Sequence, residues 1–162
     1  MTLRPARFAD FGFIRGLAQR PDYAPFISDD DEAALAAHLA NPAHRLLIWE
    51  QDGQAAGFAL YCEIGDPSGR IELRRLALAQ AGSGAGRQFL DDMIDFAFQQ
   101  LQAKRLWLDA SSENPRAQRV YERSGFTLEG RLRGHWYRPV LGRAVDLMLF
   151  GMLRDEWLAR RG

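Results

Sequence analysis

The sequence predicts a mixed α/β fold: a mostly antiparallel sheet of about six to seven strands, flanked by about four helices. Three observations carry this. "HRLLIWEQDGQAAGFALYCEI" reads as two strands joined at Asp52-Gly53, a strong hairpin pair, and "GRIELRRLALA" continues them as a third. The period then changes: Phe89, Leu90, Met93, Ile94, Ala97 and Leu101 form one wide apolar stripe over 87–101, which is a helix. "RLWLDA" follows as a buried-looking strand at 105–110, so the meander feeds a crossover.

The remaining elements fall in order. Residues 2–7 form a short first strand, and Asp10 is the expected cap of a helix over 11–19. "RPDYAP" is a loop. Ser28, followed by Asp29, Asp30, Asp31 and Glu32, marks a second helix start, with acids at the positive end of the dipole; it stops at Asn41-Pro42. Asn114-Pro115 opens another helix, which closes at Ser124-Gly125 with Phe126 packing back. Strands at 126–137 and 144–153 complete the order. No repeat or linker divides the chain, so residues 1–162 are expected to form one domain.

Composition narrows the function classes. The chain is 47% hydrophobic and 26% charged, which are globular values, and its formal net charge of zero argues against a dedicated nucleic-acid binder. Cys62 is the only cysteine and reads as core, so neither an internal disulfide nor a cysteine-built metal site is expected. No apolar run approaches the roughly 20 residues that cross a bilayer, and the first residues are too charged for a signal peptide; the expectation is cytoplasmic.

The stretch that points to chemistry is Ala81-Gly82-Ser83-Gly84-Ala85-Gly86-Arg87, between a strand and a helix. Three alternating glycines are entropically costly to order. There they gather bare backbone N–H groups and the helix dipole around one point, an anion site that suits phosphate. An NTPase loop would end in Gly-Lys-Ser/Thr, whereas Arg87-Gln88 follows here. A dinucleotide fingerprint needs glycine at the first, third and sixth positions, and neither Gly82 nor Gly84 starts such a series.

The loop resembles the phosphate loop of the GCN5-related N-acetyltransferase (GNAT) family, Gln/Arg-x-x-Gly-x-Gly/Ala, with Ala81, Gly84 and Gly86 in register and Ala81 where the family usually has arginine or glutamine. "ENPRAQRVYERSGF" resembles the second cofactor motif, with Asn114, Ala117 and Tyr121 on one helix face. "GFTLEGRLRGHWY" and "GRAVDLMLFGMLRDEW" are similar to the closing hairpin of the ribosomal-protein N-terminal acetyltransferase branch.

The resemblance implies a central strand pair that splays apart, with acetyl-coenzyme A in the gap. Its diphosphate would lie on the amides of 82–86, its pantetheine arm beside Leu76, Ala77 and Leu78, and its thioester near Tyr121, with Asn114 touching the pantetheine arm or the adenosine side. It implies no metal. Glu72 stands where some members keep a glutamate base, with pairing to Arg74 as its other reading; His135 is the reserve. An amine with a pKa of about 10.4 needs roughly 4–5 kcal/mol to be freed at neutral pH, whereas an α-amine near 8 needs about 1 kcal/mol.

A neutral phenol at Tyr121 can protonate the leaving thiolate. Arg87, Arg116, Arg119 and Arg123 lie nearest in sequence to the phosphates, and Phe26, Trp136 and Tyr137 are candidate pocket residues. The expected partners are acetyl-coenzyme A and a primary amine, either a small molecule or a protein N-terminus, with a homodimer common in the family. A coenzyme-A-binding module without catalysis is the alternative.

Overall fold

The computed structural model describes residues 2–80, 82 and 84–161. In chain order it contains β1 (Thr2–Pro5), a 3-10 turn (Phe8–Asp10), α1 (Phe11–Ala18), α2 (Glu32–Ala40), β2 (Arg45–Gln51), β3 (Gln54–Cys62) and β4 (Arg70–Leu78). Then follow α3 (Ala85–Gln99), β5 (Arg105–Ser111), α4 (Pro115–Arg123), β6 (Thr127–Arg138), β7 (Arg143–Leu153) and α5 (Arg154–Arg161). The strands form one sheet in the order β1-β2-β3-β4-β5-β7-β6, antiparallel except between β4 and β5.

Local chemistry explains most boundaries. Asp52 and Gly53 both take positive φ (52° and 75°), the pairing a tight two-residue hairpin requires. Pro115 occupies the first turn of α4, and Gly125 closes it at φ 103°, with the Phe126 amide donating to the Tyr121 carbonyl.

Three expectations change. The cap of α2 is Asp31, whose Oδ1 accepts from the Ala34 amide at 2.8 Å, because Asp29 is forked into Arg15 and Asp30 is held by His38 and Arg75. Asp10 braces the 3-10 turn instead of capping α1: its carboxylate takes both ends of the Arg4 fork and the Arg7 amide at 2.7 Å. A fifth helix, α5, closes the chain, anchored by Trp157, which stacks on Phe98 and donates to Asp95 at 2.8 Å.

Each face of the sheet is covered. Leu73, Leu78, Leu90, Met93, Leu106, Leu108, Phe150 and Trp157 share one core with α3, α4 and α5; Ile14, Leu17, Leu35, Phe58, Leu60 and Ala77 share the other with α1 and α2. Cys62 is buried in the second core, and burial pushes its thiol up to about 11, so it is no nucleophile.

The feature that makes a site is a split. β4 and β5 pair only at Arg70–Arg105, Ile71–Leu106 and Glu72–Trp107. Beyond that point β4 stays on β3 as far as Leu78 and β5 stays on β7 as far as Ser111. Two strand edges therefore face each other without a shared ladder.

Candidate active site

Antiparallel register says which backbone groups face the split. The Ala79 amide donates to the Ala56 carbonyl at 2.7 Å, which makes Leu78–Gly57 a non-hydrogen-bonded pair. Leu78 and Leu76 thus turn their N–H and C=O into the split, while Ala77 turns its groups toward β3. The same logic on the other side, from the Ser112 amide donating to the Asp146 carbonyl, turns the backbone of Ser111 and Asp109 toward β4. Of Leu76, Ala77 and Leu78, the residues expected beside the pantetheine arm, Leu76 and Leu78 are the ones that offer backbone groups to the split, and Leu78 is already engaged. The Tyr23 hydroxyl, from the loop after α1, donates to its carbonyl at 2.9 Å and accepts from its amide at 2.8 Å.

A groove of about 520 Å³ runs along this split. Leu76, Leu78, Gly86, Asn114, Ala117 and Tyr121 all line it, so the glycine loop, the open strand and the helix motif meet in one cavity. Phe26, Arg116 and Arg119 line it too. Trp136 instead carries the Arg138 guanidinium 4.0 Å above its ring, and Tyr137 is largely exposed.

At the mouth, Gly82 and Gly84 take positive φ (110° and 77°), and a methyl group built on either would meet nothing within 4 Å. The Ala85 amide closes the turn onto the Gly82 carbonyl at 3.0 Å, whereas Gly86 and Arg87 lie in the first turn of α3, where the helix supplies no acceptor. Two amides without a partner among the described residues, at the positive end of a 15-residue helix, fit a diphosphate. Ala81 and Ser83, expected in the same cradle, lie outside the described residues. The Arg87 side chain is largely exposed and 3.8 Å from Asp91.

Asn114 caps α4, its Oδ1 accepting from the Ala117 amide at 3.2 Å, which fixes the side chain at the groove wall. Two turns on, Tyr121 is 8% exposed and packs edge-on against Phe126 and Phe150. Burial, and then the neighbouring Asp109, hold its phenol well above the usual tyrosine range. It is neutral and carries a proton.

Of the two readings of Glu72, the structure shows the pairing with Arg74. Glu72 is 7% exposed and spends one carboxylate oxygen on Arg74, which donates from Nε at 2.9 Å and Nη2 at 2.8 Å; it does not line the groove. Of the three acids that do, Asp22 and Glu113 are forked into arginines, which leaves Asp109. Burial, and then the charge of Glu72, push it up to about 6, against weaker opposing pulls from His135 and Arg74. Among the described residues nothing hydrogen-bonds that carboxylate. Its signal was present in the sequence: Leu106, Leu108 and Ala110 fill the core, so Asp109 is a lone acid on the opposite face of a strand.

Known proteins resemble this chain in sequence and fold. A family described as the acetyltransferase (GNAT) family matches residues 9–126. The chain belongs to the GNAT acetyltransferase family. It is similar to a spermidine N(1)-acetyltransferase of Vibrio cholerae, 27% identical over 170 residues that span 99% of this chain and 96% of that one. A solved chimeric spermidine N-acetyltransferase from Vibrio cholerae superposes with a TM-score of 0.84 at 26% identity, covering 98% of this chain and 99% of the other. A putative ribosomal N-acetyltransferase of Bacillus subtilis is 35% identical, but over 65 residues, 40% of this chain and 34% of its own length. Of these relatives, the spermidine acetyltransferase is matched over the whole length and the ribosomal N-acetyltransferase, of the branch read from the closing hairpin, over a short stretch. Among the described residues no helix is long and apolar enough to cross a membrane, and no cluster of His, Cys, Asp or Glu has a metal-binding arrangement.

Proposed function

We propose that this chain, acting as a single N-acetyltransferase domain, moves the acetyl group of acetyl-coenzyme A directly to the primary amine of a small molecule. The observation that carries the reading is the split itself: a phenol that keeps its proton and a carboxylate poised to take one both line a single groove whose mouth offers bare amides. The full-length likeness to a small-amine acetyltransferase supports the acceptor class.

Gly86 and Arg87 would hold the diphosphate through their amides, with Arg116 and Arg119 adding positive charge. Leu76 would pair with the pantetheine arm, and Leu78 would join it once Tyr23 is displaced. Bound there, the thioester supplies an activated acyl carbon. Asp109 accepts the proton that leaves the incoming ammonium group, and the freed amine forms the new N–C bond as the C–S bond breaks. Tyr121 gives its proton to the sulfur that departs with the electron pair, and regains one from the nitrogen through water. Glu72, held by Arg74, acts on Asp109 as a like charge that keeps its carboxyl receptive near neutral pH.

The test is thiol release from acetyl-coenzyme A in the presence of a panel of primary amines, after thermal shift has shown that acetyl-coenzyme A binds and ATP and NAD do not. Tyr121→Phe is expected to lower kcat by about 10²-fold or more with little change in acetyl-coenzyme A affinity. Binding without thiol release for any amine would identify a module that has lost catalysis. Unchanged kcat would remove Tyr121 from the reaction.

A further inference from the structure

We propose that the amine acceptor also carries an anionic group, a carboxylate or a phosphate, and that Arg74 and Arg75 receive it. This deepens the acetyltransferase reading above and rests on it. The starting observation is a bulge. In β4, Leu73 pairs with Tyr61 and Arg75 with Leu60, leaving Arg74 without a partner of its own. Leu73 and Leu76 both pack into the core under α3 although they are three residues apart, so both residues between them turn to the opposite face. That face also carries Asp109. Strand alternation alone would have sent one of the two arginines away; the bulge aims both at the acceptor end.

Their charges are available to a ligand. Both arginines line the groove, whereas their acid partners Glu72 and Asp30 do not. Arg74 puts Nε and Nη2 on a single oxygen of Glu72, and Arg75 reaches Asp30 through Nη1, an acid it shares with His38. Among the described residues, Nη1 of Arg74 and both Nε and Nη2 of Arg75 have no acceptor. Behind the loop that walls this end, Arg138 adds a third positive charge: it is 6% exposed, forms no ion pair among the described residues, and donates only to the carbonyls of Ala24, Pro25 and Ile27.

The acids that line the groove point the same way. Asp22 is forked into Arg20, and Glu113 into Arg143. The remaining acid is Asp109, which the reaction uses to accept a proton. A polyamine keeps its other ammonium groups charged while one amine reacts, and here those groups would face guanidinium with no spare carboxylate. An anionic group beside the reacting amine would instead meet forked donors, the pairing that guanidinium makes best.

The experiment compares, at saturating acetyl-coenzyme A, kcat/KM for an amino acid, its carboxamide, an aminoalkyl phosphate and spermidine. The expected result is a preference for the charged member over the carboxamide on the order of tenfold or more, with spermidine poorest. The larger of the carboxylate and phosphate values assigns the anion. In Arg75→Gln combined with Asp30→Asn, which removes the cation without stranding an acid, the ratio of acid to carboxamide is expected to fall toward one. Reading the ratio within each variant keeps a general loss of activity from imitating the effect. Equal rates for acid and carboxamide, or spermidine as the best acceptor, would overturn the proposal. Thermal stabilisation by acetyl-coenzyme A with no acceptor among all four and a wider amine panel would instead overturn the acetyltransferase reading.

Discussion

Glu72 and Asp109 are both acids on strands beside the split, and what separates them is one neighbour. Arg74 lies two residues from Glu72 and saturates one of its oxygens, whereas Asp109 faces the cavity with no such partner. Sequence put Glu72 and Arg74 two apart on one strand face and left the role of Glu72 open; the structure shows the pair formed. Asp109 should have a cost that can be measured. Its carboxyl titrates near 6 against an ordinary 3.8, so its contribution to stability is complete below about pH 4 and is lost as pH rises through about 6. At roughly 1.4 kcal/mol per pH unit, that is up to about 3 kcal/mol. Asp109→Asn should therefore raise Tm at pH 8 and lose that advantage below pH 4. The same change should cut kcat/KM by about 10²-fold or more, and the wild-type value should fall as pH drops below 6. A variant no more stable at pH 8 than the parent would show that the carboxylate is well solvated.

At the scale of elements, the readable parts were those fixed by local chemistry: the Asp52-Gly53 turn, the proline at the head of α4, and the stripe of α3. What stayed hidden depended on partners far along the chain. α5 carries few apolar residues and owes its place to Trp157 stacking on Phe98, a contact no periodicity announces. The split between β4 and β5 was expected only through resemblance.

The glycine loop was legible in kind, and the structure separates the duties of its glycines. Gly84 has φ 77°, so any side chain there is strained whatever binds, at roughly 1–2 kcal/mol. Gly86 is helical, and a methyl built on it would come no closer than 4.0 Å, to Leu78 Cδ2. Gly86→Ala should thus leave Tm unchanged or up to about 1 kcal/mol better in stability, since alanine is the better helix former. It should also weaken acetyl-coenzyme A about tenfold or more by standing where the diphosphate approaches. Calorimetric titration of Gly86→Ala, beside its Tm, would separate the effects. Equal affinity for Gly86→Ala and the parent would move the diphosphate elsewhere.

Taken as a whole, the sheet consists of two antiparallel halves, β1 to β4 and β5 to β7, joined through a short parallel contact at Arg70–Glu72 and by the helices that bridge them. A ligand lying in the split would replace the missing ladder, so its effect should be local in protection and global in stability. At a hundred times its Kd, acetyl-coenzyme A should stabilise the fold by about 2.7 kcal/mol, or roughly 5–10 °C for a chain of this size. Hydrogen exchange should then slow at the Leu76 amide and at Gly86 and Arg87, because these groups face the split or lie at the head of α3 without a partner among the described residues. Exchange along the β2–β3 ladder, already closed on both sides, should rise in protection only as far as global opening is suppressed. ATP at the same concentration carries phosphates but no pantetheine arm, and should leave Leu76 unchanged. Equal protection of Leu76 by ATP, or none by acetyl-coenzyme A despite a shift in Tm, would mean that the open strand edge is not what holds the donor.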